Sequence, residues 1–187
     1  MLHLAVATVV FYTLHSVFAW TGVKQWASTA LGLVRWYRLA YTLQSLVLLA
    51  WVFHAYRSAA SHQVLLAPSV LLTIVGCTLV ALGGLIASAA VLRFGGAGFI
   101  GLAEEKRTGL VRSGLHGRVR HPIYAGVILV LLGWILLDSS AATAMVVGIT
   151  LCYLPVGIAL EERKLIAVFG EEYVRYRKEV PALWPRW

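Results

Sequence analysis

The chain has 187 residues, 60% of them hydrophobic and only 13% charged, with a formal net charge of +8 and a mean hydropathy of +0.80. Soluble domains are about 45–50% apolar and about a quarter charged, and a domain of this size buries only about 70% of the surface its unfolded chain exposes. A soluble globular enzyme, a disordered chain and a collagen-like chain are excluded, and the length suits one membrane-embedded domain over residues 1–187.

Five long apolar runs follow in chain order: Leu2–Trp20, Leu39–Tyr56, Pro68–Leu92, Ile123–Leu137 and Ala141–Leu160. None alternates as the strands of a membrane barrel must, and in lipid the backbone has to satisfy its own hydrogen bonds, so each is predicted to be a helix. The first run has no basic segment before it and no small-x-small cleavage site after it. It is expected to stay in the mature protein rather than act as a signal peptide. Cys77 and Cys152 lie inside apolar runs with no CxxC pattern, and are expected to be buried free thiols. The fourth run reaches only ~22 Å at 1.5 Å per residue, against ~30 Å of hydrocarbon. It must either start before Pro122 or form a tight hairpin with the fifth around Asp138-Ser139-Ser140. The expected fold is therefore an all-α integral membrane protein with about five transmembrane helices, a short helical hairpin of the fourth and fifth, and a C-terminal amphipathic helix.

Charge orients these spans. Lys24, Arg35 and Arg38 follow the first. Arg93, Lys106, Arg107, Arg112, Arg118 and Arg120 follow the third, and Arg163, Lys164, Arg175, Arg177, Lys178 and Arg186 follow the fifth. Alternate crossings put all three groups on one side, 15 of the 16 Lys and Arg, with Arg57 alone on the other. The positive-inside rule then predicts an external N-terminus and a cytoplasmic C-terminus. The same placement accounts for the basic balance through the anionic leaflet, and no nucleic-acid-binding motif competes with it. The lipid bilayer is the expected partner.

Polar residues concentrate in two cytoplasmic regions, 93–122 and 161–187. In the first, Gly96-Ala97-Gly98-Phe99-Ile100-Gly101 matches GxGxxG. A dinucleotide site needs a strand before it and a helix after it within a βαβ unit; a transmembrane helix precedes it here, so that reading is rejected. Further on, Arg120, His121 and Tyr124 gather at the mouth of the fourth span behind Pro122. Arg offers a guanidinium fork and His a proton donor or acceptor near neutrality, although basic and tyrosine residues are also ordinary interfacial anchors. Glu161 and Glu162 end the fifth span. Carboxylates next to hydrocarbon favour a paired or functional role, and a helical hairpin puts them at the depth of His121. Beyond them Leu165, Phe169, Tyr173, Tyr176 and Val180 form one helical stripe. This predicts an amphipathic helix, bent at Gly170, ended at Pro181 and pinned by Trp184 and Trp187, acting either as a lid or as a membrane attachment. His15 and His54 lie ~15 Å apart along the membrane normal by helical rise, too far for one haem, while His15 lies on the side of the candidate site and could line it. No metal cluster is expected.

Arg120-His121-Pro122-x-Tyr124-x-Gly126 resembles the RHPxYxG signature of the isoprenylcysteine carboxyl methyltransferase and phospholipid methyltransferase superfamily. So does Glu161-Glu162-x-x-Leu165-x-x-x-Phe169-Gly170-x-x-Tyr173-x-x-Tyr176-x-x-x-Val180-Pro181. The N-terminal His15-Ser16-Val17-Phe18-Ala19 and the stretch Tyr37–Ser45 are similar to bacterial relatives and, more loosely, to membrane thiol methyltransferases. The resemblance implies an enzyme of the bacterial inner membrane that binds S-adenosylmethionine at its cytoplasmic face. The loop before the first motif, the fourth and fifth helices and the C-terminal helix would enclose the cofactor. It further implies that His121, Tyr124 and the backbone around Leu115 and His116 hold the cofactor, that Arg120 supports them, and that Glu161 or Glu162 binds its polar end. Glu161, Glu162 and Arg120 are the candidates for positioning; no catalytic residue is assigned.

The implied acceptor is an amphiphile or small molecule carrying a carboxylate, thiol or amine. Two departures stand out. His116 occupies a position where the family often has Tyr. The turn expected at Pro155–Leu160 is wholly apolar, whereas the prenylcysteine enzymes place a substrate-binding Arg there, which argues against a prenylcysteine acceptor. A nicotinamide-dependent membrane reductase of the sterol-reductase type and a non-enzymatic membrane protein or transporter are the rival readings.

Overall fold

The computed structural model describes residues 1–31, 36–59, 65–93 and 109–185. Gly96–Gly101, Arg35, Lys106, Arg107 and Trp187 lie outside the described residues. All regular structure among those described is helical: α1 (Leu2–Ala19), α2 (Thr21–Leu31), α3 (Tyr37–Ala59), α4 (Val70–Arg93), a short 3-10 turn at Gly114–Gly117, α5 (Pro122–Leu137), α6 (Ala141–Phe169) and α7 (Glu171–Glu179). Four of these, α1, α3, α4 and α6, are long and apolar enough to cross a membrane, so the all-α integral membrane fold holds.

The predicted runs and the helices differ in instructive places. α2 was not foreseen, because its polar positions break the apolar run. The fourth run does not extend upstream: Pro122 is the first helical residue of α5, where its missing N–H is no loss. The hairpin alternative is the one observed, with Ser140 capping α6 by accepting from the Thr143 N–H at 3.2 Å. The fifth span does not stop at Leu160. α6 continues through Pro155, Glu161 and Glu162 to Phe169, so Pro155–Leu160 is helix rather than a turn. The expected C-terminal amphipathic helix is consequently split: Leu165 and Phe169 close α6, and Gly170, at φ +54°, turns the chain into α7. Glycine adopts that φ without the penalty other residues meet. Cys77 and Cys152 are free but exposed, contrary to expectation. Lipid takes the place of a core around such helices, and Val47, Phe53, Val70, Leu71 and Leu85 face outward in the same way.

Side-chain pairs give the directions. His15 meets Tyr41, and Trp51 meets His3, so α1 and α3 are antiparallel. Tyr12 meets Thr150, and Ser16 meets Tyr153, so α1 and α6 are parallel. Leu4, Ala7, Val52, Ala55, Ala142 and Val146 form the buried core at the end of the bundle away from Arg120. Tyr56 and Thr143 hydrogen-bond the Asp138 carboxylate at that same end.

α4 and α5 make the most extensive helix pair, and they touch through glycine. A Cβ on Gly126 would stand 2.6 Å from the Gly83 carbonyl oxygen, and one on Gly133 2.6 Å from that of Gly76. Both pairs are seven residues apart along their helices, which keeps them on one seam. Small residues let backbones approach where lipid offers no hydrophobic drive to association. This contact fixes the start of α5, and with it the polar residues that follow the 3-10 turn.

Candidate functional site

Arg120 and His121 immediately precede α5. Their backbone N–H groups donate to the carbonyls of Pro181 and Ala182, both at 2.9 Å. The segment after α7 is thereby strapped across the mouth of α5. The Arg120 guanidinium completes the clasp. Its Nη1 donates to the carbonyls of Arg177, at 2.8 Å, and Val180, while Nη2 and Nε donate to Glu162 Oε1 at 2.8 and 3.1 Å. His121 Nε2 lies 3.2 Å from the same oxygen, and Arg177 Nη1 lies 3.4 Å from Oε2.

The two adjacent carboxylates are therefore not equivalent. Glu162, with 13% of its side chain exposed, is consumed by Arg120, His121 and Arg177. Glu161 has 44% of its side chain exposed, with His121 Nδ1 at 3.6 Å and the Tyr124 hydroxyl within reach. Tyr124 meets the His121 ring edge-on and packs on the bare backbone of Gly157. Of the residues singled out in the sequence, Arg120 and Glu162 form the internal anchor, Glu161 is the exposed carboxylate, and the buried His121 and half-buried Tyr124 flank it.

Leu115 and His116 lie in the 3-10 turn. Their carbonyls are engaged within the protein: that of Leu115 accepts from the Arg118 and Val119 N–H groups at 3.0 Å, and that of His116 accepts from the Tyr176 hydroxyl at 2.5 Å. The His116 ring is buried. Burial and the neighbouring Arg93 cation lower its pKa, against the opposing pull of Glu161, which keeps the ring neutral at pH 7. Leu115 and His116 line a cleft of about 220 Å³ with Ala89, Ala90, Arg93 and Gly114. Arg93 also donates to Ser113 Oγ. A larger recess of about 370 Å³ at Pro68–Ile74 carries no ionisable side chain and belongs to the opposite end of the bundle.

The stripe on α7 turns toward the protein rather than toward lipid, because Tyr173 and Tyr176 are both buried. Arg112 stacks over Tyr176 and donates to the Glu172 carbonyl at 2.6 Å, holding α7 against the 3-10 turn. Tyr173 is 1% exposed, and its hydroxyl has no hydrogen-bond partner among the described residues. Burial, followed by the Glu162 carboxylate, pushes the Tyr173 hydroxyl well up. It is thus a protonated donor facing a charged cluster without an acceptor of its own. In the sequence Arg93 and Arg177 are only flanking charges and Tyr173 a stripe and motif residue, and none of the three was expected in the site. The tyrosine stripe was the signal for the last; nothing local marks the other two. Trp184 is exposed. His54 is exposed on α3, remote from His15. No group of three or more His, Cys, Asp or Glu among the described residues could hold a metal ion.

Curated relatives align with parts of this chain. It is 44% identical over 71 residues to methanethiol S-methyltransferase 1 of Bradyrhizobium diazoefficiens, covering 38% of this chain and 24% of that protein. It is 42% identical over 67 residues to methanethiol S-methyltransferase of Crocosphaera subtropica, covering 36% and 26%. It is 31% identical over 105 residues to protein-S-isoprenylcysteine O-methyltransferase of Schizosaccharomyces pombe, covering 54% and 44%. The chain thus spans less than half the length of these relatives. No solved structure matches it. Residues 71–172, more than half of the chain and including both carboxylates and the Arg120–Tyr124 segment, match the phospholipid methyltransferase family, and the chain belongs to that family.

Proposed function

We propose that the protein is an S-adenosylmethionine-dependent methyltransferase of the membrane, with its basic end cytoplasmic and a small or lipidic acceptor entering from the bilayer side. The observation that carries this reading is the charge arrangement around His116. Arg93 lines the cleft beside His116, and the exposed Glu161 carboxylate stands nearby, 3.6 Å from His121 Nδ1. Together they offer one group for a carboxylate and one for an ammonium, as the amino-acid end of the cofactor requires. The orphaned Tyr173 hydroxyl supplies a further donor nearby.

When bound, the cofactor supplies an electrophilic methyl group on a sulfonium. The residues then have three tasks. Glu161 holds positive charge, with His121 and Tyr124 fixing its carboxylate. Arg120 and Glu162 keep the C-terminal segment closed over the mouth of α5, excluding water. The glycine-packed α4–α5 pair sets the position of Arg93 relative to His121, and catalysis of methyl transfer is chiefly such positioning.

Among acceptors, a thiol is favoured over a carboxylate. The aligned Bradyrhizobium and Crocosphaera proteins are methanethiol S-methyltransferases, and Pro155–Leu160, being apolar helix, offers no cation to a carboxylate. Calorimetric titration of the purified protein with S-adenosylhomocysteine tests the cofactor assignment. Binding is expected, and Glu161→Gln should weaken it about tenfold or more, about 1.4 kcal/mol or more, with unchanged thermal stability. No binding of this ligand by the wild type, together with tight binding of NADPH, would overturn the assignment.

A further inference from the structure

α1, α3 and α6 meet in the half of the bundle nearest the basic end, and the side chains they bring there are polar. Helical repeat places Tyr37, Tyr41, Gln44 and Ser45 on one face of α3. The Tyr41 hydroxyl stands 2.9 Å from His15 Nε2 and 3.0 Å from Nδ1, and the Ser45 hydroxyl stands 3.3 Å from Nδ1. Across from them the Ser16 and Tyr153 hydroxyls meet at 2.8 Å, and Tyr12 donates to Thr150 at 2.8 Å. On the same face both polar atoms of the Gln44 amide are shielded and have no hydrogen-bond partner among the described residues. A buried amide left unpaired within a bundle is costly, and a small polar ligand would relieve it.

This polar cluster adjoins the candidate site. Tyr153 and Tyr124 both pack on Gly157, each 3.3 Å from where a Cβ would stand. Tyr124 lies within electrostatic reach of Tyr41 and Tyr153 on one side and of Glu161 on the other. His15, Tyr41, Gln44 and Ser45 all precede residue 71, where the family match begins. That match assigns them nothing.

We propose that the methyl acceptor binds within this polar cluster and that His15 takes the acceptor's proton; the inference rests on the cofactor reading above. Among the described residues the cluster carries no Lys or Arg, which suits a neutral weak acid such as an alkyl thiol and not a carboxylate. Ser45 at Nδ1 orients the ring, and the Tyr41 hydroxyl, near both nitrogens, can serve only one at a time, so Nε2 is free to exchange Tyr41 for the acceptor. The thiol S–H proton passes to Nε2, and the freed sulfur pair forms the new sulfur–carbon bond. The donor's sulfonium–methyl bond breaks, with its electron pair returning to the donor sulfur, and His15 then gives its proton to water.

The test uses His15→Gln in the full-length protein in lipid nanodiscs, with two thiols. Ethanethiol must lose a proton; 4-nitrothiophenol is already ionised at the assay pH. In turnover, the variant should lose about a hundredfold in kcat/KM on ethanethiol and little on 4-nitrothiophenol, with S-adenosylhomocysteine affinity unchanged. An equal loss on both thiols, or none on either, would overturn the role of His15. Absence of S-adenosylhomocysteine binding by the wild type would instead locate the failure in the cofactor reading. Should His15→Gln fail to fold, Gln44→Leu takes its place: a severalfold rise in KM for ethanethiol supports binding at the cluster, and an unchanged KM refutes it.

Discussion

The bundle is joined by two different solutions to one problem. α4 and α5 meet backbone to backbone through Gly76, Gly83, Gly126 and Gly133, with no room even for a methyl group. α1, α3 and α6 meet through hydroxyls, an imidazole and stacked rings, with the Tyr12 and Tyr153 centroids 4.2 Å apart. Both seams lie in a solvent that gives apolar side chains no reason to leave it. The first gains dispersion contacts by removing side chains. The second gains directed hydrogen bonds by keeping polar groups that lipid cannot serve. Only the second can exchange a partner for a ligand, which is why a tight structural seam and an accommodating one stand side by side.

The comparison can be broken at each seam. The largest effect is expected at the glycine seam. Gly126→Leu has nowhere to put its side chain except the Gly83 carbonyl and Ala87, and should cost about 1–3 kcal/mol by overpacking. Thermal unfolding in detergent checks this, and S-adenosylhomocysteine binding should fall with it because the start of α5 moves. A smaller effect is expected at the far end of the polar seam. Burial pushes the Asp138 carboxyl up, but hydrogen bonds from Tyr56, Thr143 and Ser140 outweigh it and hold the group below its usual value of 3.8. A depressed carboxyl stabilises the fold above its unfolded pKa and loses that contribution as pH falls through the folded one. Wild-type Tm should therefore drop on acidification below about pH 4, and the drop should be shallower in Asp138→Asn. The smallest effect is expected for Tyr12→Phe, which removes the bond to Thr150 and leaves the ring stack. About 0.6 kcal/mol is the ordinary worth of such a bond in a membrane protein, and a larger loss in chemical denaturation would mean that the polar seam is structural first.

Much of this was legible in the sequence because the bilayer simplifies the code. Apolar run length located α1, α3, α4 and α6, and the motif residues Arg120, His121, Tyr124, Glu161 and Glu162 do converge. Local reading failed where an answer depends on a partner far along the chain. Glu161 and Glu162 look alike in sequence, and only Arg120 and Arg177 separate an anchor from an open carboxylate. Gly126 sits inside the family signature as though it served a ligand, yet its neighbour is Gly83. The apolar run ended at the first charge, whereas the helix did not, because a backbone ladder continues into water without interruption. Gln44 appeared only as a polar residue in a span until its amide proved to be shielded and unpaired.

The strap formed by Pro181 and Ala182 across Arg120 and His121 also fixes an order in biogenesis. Pro181 and Ala182 follow every described helix in the chain, so the mouth of α5 stays uncovered while those helices are being made. The strap can be drawn across Arg120 and His121 only once the helices it joins exist. The site is therefore open through the synthesis of its own walls and becomes whole afterwards, an order imposed by the position of a dipeptide.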